Sequence, residues 1–145
     1  NRLDAAQSIR AGAEYLSNLL DALPSDVSEP DRTWMALAAY NLGLGHLKAA
    51  RHIAKTHNVD ASSWYEMKKA LPLLAKEQYY KRLKSGKGRG GEAVIMVENI
   101  RMFLDILKRH ENLARVLAST AETRTGGTSP PLQSAYKQEL SAFTR

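Results

Sequence analysis

Apolar residues recur at spacings of three and four along most of the chain, which is the spacing of one face of an α-helix. The first such stretch covers residues 4–23, where Gly12 predicts close packing against another backbone and Asp4 and Gln7 have capping-box spacing. Its apolar positions are Ile9, Ala13, Leu16, Leu20 and Leu23. No segment alternates apolar and polar residues as a half-buried strand would. The pattern therefore predicts an all-α domain of about five or six helices.

The most apolar stretch is WMALAAYNLGLG, residues 34–45. Apolar groups on several of its faces predict a helix that is buried all round. The stretch ends in a polar pair, Tyr40 and Asn41, followed by Gly43 and Gly45, and glycine lets a backbone approach other groups closely. Two interpretations follow: the helix end lines a substrate cleft, or a core helix ends at an ordinary glycine cap. These residues alone favour the ordinary cap.

Three further helices are predicted downstream of Gly45. They cover approximately residues 46–57, the segment from Asp60 until Pro72 interrupts it, and residues 92–118. The buried side of the last helix is predicted at Val94, Val97, Ile100, Leu104 and Leu107.

The 145 residues suffice for one domain with a sizeable core. We predict this domain at residues 1–118. Residues 119–145 are rich in Ser, Thr, Gly and Pro, which predicts a polar, mobile C-terminal tail. A short helical turn within it is suggested by Leu132, Tyr136, Leu140 and Phe143.

The chain carries 21 Lys and Arg residues against 15 Asp and Glu residues, a net charge of +6, which favours an acidic partner. Residues 76–91 concentrate this charge around Tyr79 and Tyr80. Such a stretch could follow a nucleic-acid backbone and stack bases, or it could be a solvated hinge between helices, and the hinge is the commoner case. No run of apolar residues reaches membrane-spanning length.

Candidate catalytic groups are sparse. The absence of cysteine excludes disulfides, thiol catalysis and cysteine-bound metals, and the four histidines lack the spacing of a zinc-binding helix. Glu14 and Glu92 lie beside apolar helix faces and could serve as acids or be ordinary solvated charges. No nucleophile elbow is present. The residues therefore predict a cleft without a complete catalytic set, no metal and no cofactor.

Three segments in this order resemble the soluble lytic transglycosylases, lysozyme-like enzymes that cleave bacterial peptidoglycan. They are QSIRAGAEYLSNLL (7–20), ALAAYNLGLGHL (36–47) and RGGEAVIMVENI (89–100). The resemblance implies the helical α-lobe of a lysozyme-like domain, here without the family's N-terminal helices. It also implies cleavage between N-acetylmuramic acid and N-acetylglucosamine with formation of a 1,6-anhydro ring. One Glu performs this reaction in the family, and we expect it upstream of residue 1.

The same resemblance implies substrate-binding roles around the end of the central helix. Tyr40 would hydrogen-bond near the acid and the sugar, and Asn41 would bind N-acetyl or hydroxyl groups. Ala39 would line the floor, while Gly43 and Gly45 would let the backbone pass under the glycan. Met96 stands four residues after Glu92, where the family usually has a Tyr that helps to position the acid.

The partners implied by the resemblance are peptidoglycan glycan strands, whose carboxylates suit the positive charge, and not nucleic acid. The implied location is the bacterial cell envelope, on the periplasmic face of the outer membrane. A membrane anchor and an N-terminal regulatory domain would lie outside this chain. The alternative is a non-catalytic helical module that binds glycan or a protein partner, because no acid is visible in the sequence.

Overall fold

The computed structural model describes residues 4–125, with side chains as far as residue 120, and the described residues are helical without strands. The prediction of an all-α fold is confirmed. In chain order the helices are α1 (Ala5–Asp21), α2 (Asp31–Leu42), α3 (Leu44–Thr56), α4 (Trp64–Ala70), a 3-10 turn (Leu71–Ala75), α5 (Glu77–Tyr80) and α6 (Gly90–Thr125).

The chain divides into two compact units, one reaching to Met102 and one beginning at Phe103. Composition alone had predicted a boundary after residue 118. The helix predicted to end there, α6, continues to Thr125. The rest of the predicted tail, with its suggested turn at residues 132–143, lies outside the described residues.

Helix α1 begins as its capping residues predict. The Asp4 carboxylate accepts a hydrogen bond from the backbone N–H of Gln7 at 3.1 Å, which satisfies one of the free donors of the first turn. The predicted apolar face is covered only toward its C-terminal end, where Leu16 and Leu20 are half-buried and Leu23, just past the helix, is buried. Ile9, nearer the start, is 73% exposed. One end of this face is therefore open among the described residues.

Helix α2 forms the centre of the core. Four of its residues have no exposed surface: Met35, Ala36, Ala38 and Ala39. The small alanine side chains allow α1, α3 and α4 to pack closely around the helix. The prediction that this helix is buried all round is wrong. Trp34 and Leu37 are half-buried, and Tyr40 and Asn41 at the C-terminal end of the helix are exposed.

Two arginines fasten the connections between these helices. Arg32 donates from its guanidinium to four backbone carbonyls, at 2.6–3.2 Å: those of Leu20, Leu23, Pro24 and Val27. Arg51, which is 6% exposed, donates to the carbonyl of Ala61 and to the Asp26 carboxylate. The Leu20 carbonyl in the last turn of α1 thereby gains a partner, and the two arginines tie both connections to the core helices.

The first part of α6 is tied to α4 by a buried tryptophan. The Trp64 indole N–H donates to Glu98 Oε1 at 2.7 Å, and Arg101 donates to the same oxygen at 2.8 Å. The pKa of Glu98 is lowered, first by the indole hydrogen bond and then by Arg101, because both favour the carboxylate. Ala93 and Val97 are fully buried in this part of α6.

The prediction that Leu104 and Leu107 lie on the buried side of α6 is wrong, since they are 37% and 64% exposed. Helical periodicity marks an apolar face but does not show what covers it. The exposed large apolar residues between positions 103 and 120 are Phe103, Leu104, Ile106, Leu107, Leu113, Val116 and Leu117. Among the described helices, none combines the length and hydrophobicity needed to cross a bilayer.

Candidate active site

The corner between α2 and α3 is made by a single residue. Gly43 is the C-cap of α2 and the N-cap of α3, with φ 95° and ψ 142°. Its N–H donates to the carbonyl of Ala39 at 2.8 Å, and its own carbonyl accepts from the N–H of Leu47 at 3.2 Å. A positive φ with extended ψ is a conformation that glycine adopts far more readily than other residues. The chain therefore turns sharply immediately after Tyr40 and Asn41.

Tyr40 leans from this corner onto α1. Its ring centroid lies 5.4 Å from that of Tyr15, with the two planes at 53°. Its hydroxyl lies above Gly12, where a Cβ atom would be 3.1 Å from the hydroxyl oxygen. The group that packs against Gly12 is thus a side-chain hydroxyl and not the backbone that we expected. Tyr40 as a whole remains 44% exposed.

An open groove of about 450 Å³ runs beside Tyr40, between α1 and α2. Most of its lining is apolar, and the Tyr40 and Ser8 hydroxyls are its polar side-chain groups. The lining residues are Ser8, Ile9, Gly12, Ala13, Leu16, Leu37 and Tyr40. A concave surface with an apolar wall and a few hydrogen-bonding groups is the usual form of a small-molecule or oligosaccharide site.

None of the other predicted site residues is among the residues that line this groove. Asn41 is exposed and directly follows Tyr40, and Gly43 forms the corner beneath the pair. Ala39 has no exposed surface, so its side chain packs in the core and does not line a floor. Met96 lies on α6, half-buried against the core, and it is not among the residues that line the groove.

Neither candidate acid lies in the groove lining. Glu14 is exposed on α1, and Glu92 is exposed and pairs with Arg89 at 3.6 Å. The described lining of the groove therefore contains no carboxylate.

The pKa values that are shifted elsewhere in the chain are shifted by neighbouring side chains. Hydrogen bonds from Ser62 lower the pKa of Asp60, and the hydrogen bond to Glu66 raises the pKa of Lys69. No group of three potential metal ligands occurs within residues 4–125.

The basic stretch is organised by local pairs. Lys81 forms an ion pair with Glu77 one helical turn away. The Tyr79 hydroxyl and His57 Nε2 are hydrogen-bonded at 3.1 Å, and the Tyr79 ring packs against the core. Tyr80 is half-buried. With its tyrosines engaged in this way, the stretch resembles the solvated hinge more than a base-stacking surface.

Sequence reasoning missed the contribution of α1 to this site. Gly12 and Tyr15 are three residues apart, so they lie on the same helix face, and both contact Tyr40. The spacing was visible in the sequence, but nothing in it showed that this face meets the end of α2.

Sequence comparison with known proteins identifies a family that this chain matches. The family model described as the transglycosylase SLT domain matches residues 1–63, which include α1, α2, the Gly43 corner and α3. This chain belongs to the transglycosylase SLT family. The family resemblance stated from the sequence motifs is confirmed.

The chain is similar to bacterial proteins named membrane-bound lytic murein transglycosylase F. The proteins of Methylobacillus flagellatus and Thiobacillus denitrificans are each 54% identical to it over 111 residues, 77% of this chain and 24% of theirs. The protein of Shewanella frigidimarina is 45% identical over 117 residues, 81% of this chain and 25% of its own. This SLT-family chain thus spans about a quarter of the length of these relatives.

Proposed function

We propose that this chain forms the glycan-binding side of the catalytic cleft of a peptidoglycan lytic transglycosylase. The observation that carries the proposal is that Tyr40 lines an open groove directly before the exposed Asn41 and the Gly43 corner, in a chain of the SLT family. The names of the relatives, which are murein transglycosylases, support the same activity.

The proposed reaction uses one carboxyl group. The acid protonates the glycosidic oxygen between N-acetylmuramic acid and N-acetylglucosamine, and the bond from C1 to that oxygen breaks. The muramyl C6 hydroxyl then bonds to C1 and returns its proton to the same carboxylate. The products are a 1,6-anhydromuramoyl end and a free 4-hydroxyl on N-acetylglucosamine, and no water is consumed. No described carboxylate lines the groove, and the proposal assigns the acid to the Glu that the family resemblance implies upstream of residue 1.

Each residue at the corner has a proposed task. The Tyr40 hydroxyl hydrogen-bonds the acid or the reacting sugar, and Tyr40 is one of the residues that line the groove. Asn41 offers an amide that can both donate to and accept from an N-acetyl group. Gly43 gives the backbone the sharp turn that lets a glycan pass close by. Ala39 supports Tyr40 from within the core, and Met96 belongs to α6, outside the groove lining.

The proposed setting is the bacterial envelope, on the periplasmic face of the outer membrane, as the membrane-bound relatives suggest. Membrane association and a regulatory domain would belong to parts of the protein outside this chain. The net charge of +6 is suited to the anionic carboxylates of peptidoglycan.

Binding of chitotetraose, a soluble chain of N-acetylglucosamine units, tests the site directly. We expect Asn41→Ala to weaken chitotetraose binding about tenfold in calorimetry, because the polar groups that Asn41 pairs with lose a partner. Asn112→Ala is the matched control, since Asn112 is an exposed helical asparagine in the second unit. Equal affinity of the Asn41 and Asn112 variants would contradict the assignment.

A non-catalytic glycan-binding module is the second candidate, and the absence of a carboxylate from the described groove lining favours it. The two functions differ in their products. The full-length transglycosylase releases anhydromuropeptides from purified sacculi, whereas a binding module retains sacculi without releasing them.

A further inference from the structure

The side chain of Tyr40 is held by α1, not by its own helix. Its ring meets the Tyr15 ring at 5.4 Å, and its hydroxyl lies above Gly12. Because Gly12 and Tyr15 occupy the same face of α1, they restrain the hydroxyl from below and the ring from the side. The residue is 44% exposed and is one of the residues that line the groove.

Because glycine has no Cβ atom, Gly12 leaves more room for the Tyr40 hydroxyl than any other residue would. A Cβ atom there would lie 3.1 Å from the Tyr40 oxygen, closer than ordinary van der Waals contact, so the tyrosine would have to move by a few tenths of an ångström. Glycine is also among the poorest helix formers. The glycine in the middle of α1 therefore lowers the stability of the helix, but it allows the Tyr40 hydroxyl to approach the α1 backbone closely.

We propose that Gly12 and Tyr15 are positioning residues that fix the Tyr40 hydroxyl at the groove. This inference rests on the proposed role of Tyr40 in glycan cleavage. Tyr15 restrains the ring through a tilted aromatic contact, and its own hydroxyl is not required. Gly12 sets how far the Tyr40 hydroxyl reaches toward α1. A hydrogen-bonding group that acts on a reacting sugar must be placed to within a fraction of an ångström, so both contacts affect turnover more than substrate binding.

A double-mutant cycle in the full-length protein tests this inference, with anhydromuropeptide release from purified sacculi and urea unfolding measured in parallel. We expect Gly12→Ala to lower kcat about tenfold with little change in KM. Its urea midpoint should not fall, because alanine favours the helix. In the Tyr40→Phe background, where no hydroxyl opposes the added methyl group, Gly12→Ala should cause no further loss. Gly91→Ala is the control, because a Cβ atom added at this helical glycine would have no neighbouring atom within 4 Å. This variant should leave kcat unchanged.

The Tyr15 variants supply an independent arm. Tyr15→Phe keeps the ring and should keep wild-type turnover, whereas Tyr15→Leu removes the aromatic contact and should lower kcat with KM nearly unchanged.

Two results would overturn the inference, and they are distinguishable. If Tyr40→Phe lowers turnover but Gly12→Ala has no effect, or has the same effect in both backgrounds, positioning by Gly12 is refuted while the role of Tyr40 stands. If Tyr40→Phe retains full turnover, the proposed role of Tyr40 and the positioning inference both fail.

Discussion

At the scale of single residues, the site depends on one backbone conformation. Gly43, with φ 95°, joins two helices without an intervening loop, and this places Tyr40 and Asn41 on the outside of the corner. The glycine after the polar pair was visible in the sequence, and the turn at this point was predicted from it. The orientation of Tyr40 onto α1 was not, because it depends on a contact between residues far apart in the chain.

We predict that Gly43→Ala destabilises the fold by about 1–3 kcal/mol, because a Cβ atom makes the positive φ unfavourable even though no other atom lies within 4 Å. Urea unfolding followed by circular dichroism measures this change. Gly45→Ala is the matched control: Gly45 is helical with equally open surroundings, so alanine should be neutral or stabilising by up to about 1 kcal/mol. Equal stability of the two variants would contradict the strained-corner explanation.

At the scale of helices, hydrophobic periodicity predicted where helices form better than what covers them. The start of α1 at Asp4 and the α2–α3 boundary agree with the sequence pattern. Ile9 and Leu107 lie on predicted apolar faces and are exposed. Periodicity reports which residues share a face, whereas burial depends on the neighbouring element. The hydrogen bonds that join the helices, such as those from Arg32 to four backbone carbonyls, were not predicted. The sequence around an arginine does not show which acceptors its guanidinium will bind.

The link between α4 and α6 predicts a specific pH dependence. In the folded chain, the pKa of Glu98 lies below its usual value of 4.5 because the carboxylate accepts a hydrogen bond from the Trp64 indole. The ionised side chain is therefore more stable in the folded chain than in the unfolded chain. This contribution to stability is present above the unfolded pKa and is lost as the pH falls through the lower folded pKa. Since the side chain is 38% exposed, we expect it to amount to less than about 1 kcal/mol.

Glu98→Gln tests this contribution, because glutamine keeps an acceptor for the indole but cannot ionise. The stability difference between the wild-type chain and this variant should be largest near neutral pH and should shrink below about pH 4. Urea unfolding across this range gives the difference directly. A difference that stays constant with pH, or one that grows in acid, would show that the Glu98 charge does not contribute.

At the scale of the whole molecule, the sequence motifs predicted the family and the all-α class, and both are confirmed. Of the predicted site residues, Tyr40 lines the groove, whereas Ala39 is buried and Met96 is not in the groove lining. Motif matching transfers residues by position along the chain, and it cannot show which of them share a surface. The groove itself also required the structure, since it is formed by faces of α1 and α2 that are separated in sequence.

Tyr40→Phe in the full-length protein is the most direct test of the proposed active site, because it removes one hydroxyl and almost no volume. We predict that release of anhydromuropeptides from purified sacculi slows by roughly 10–1000-fold, while the melting temperature changes little because the ring contact with Tyr15 remains. Tyr65→Phe, at an exposed tyrosine of α4, is the matched control and should keep wild-type turnover. Full turnover by the Tyr40 variant, accompanied by a shift in melting temperature, would show that Tyr40 is a structural residue and would contradict the active-site assignment.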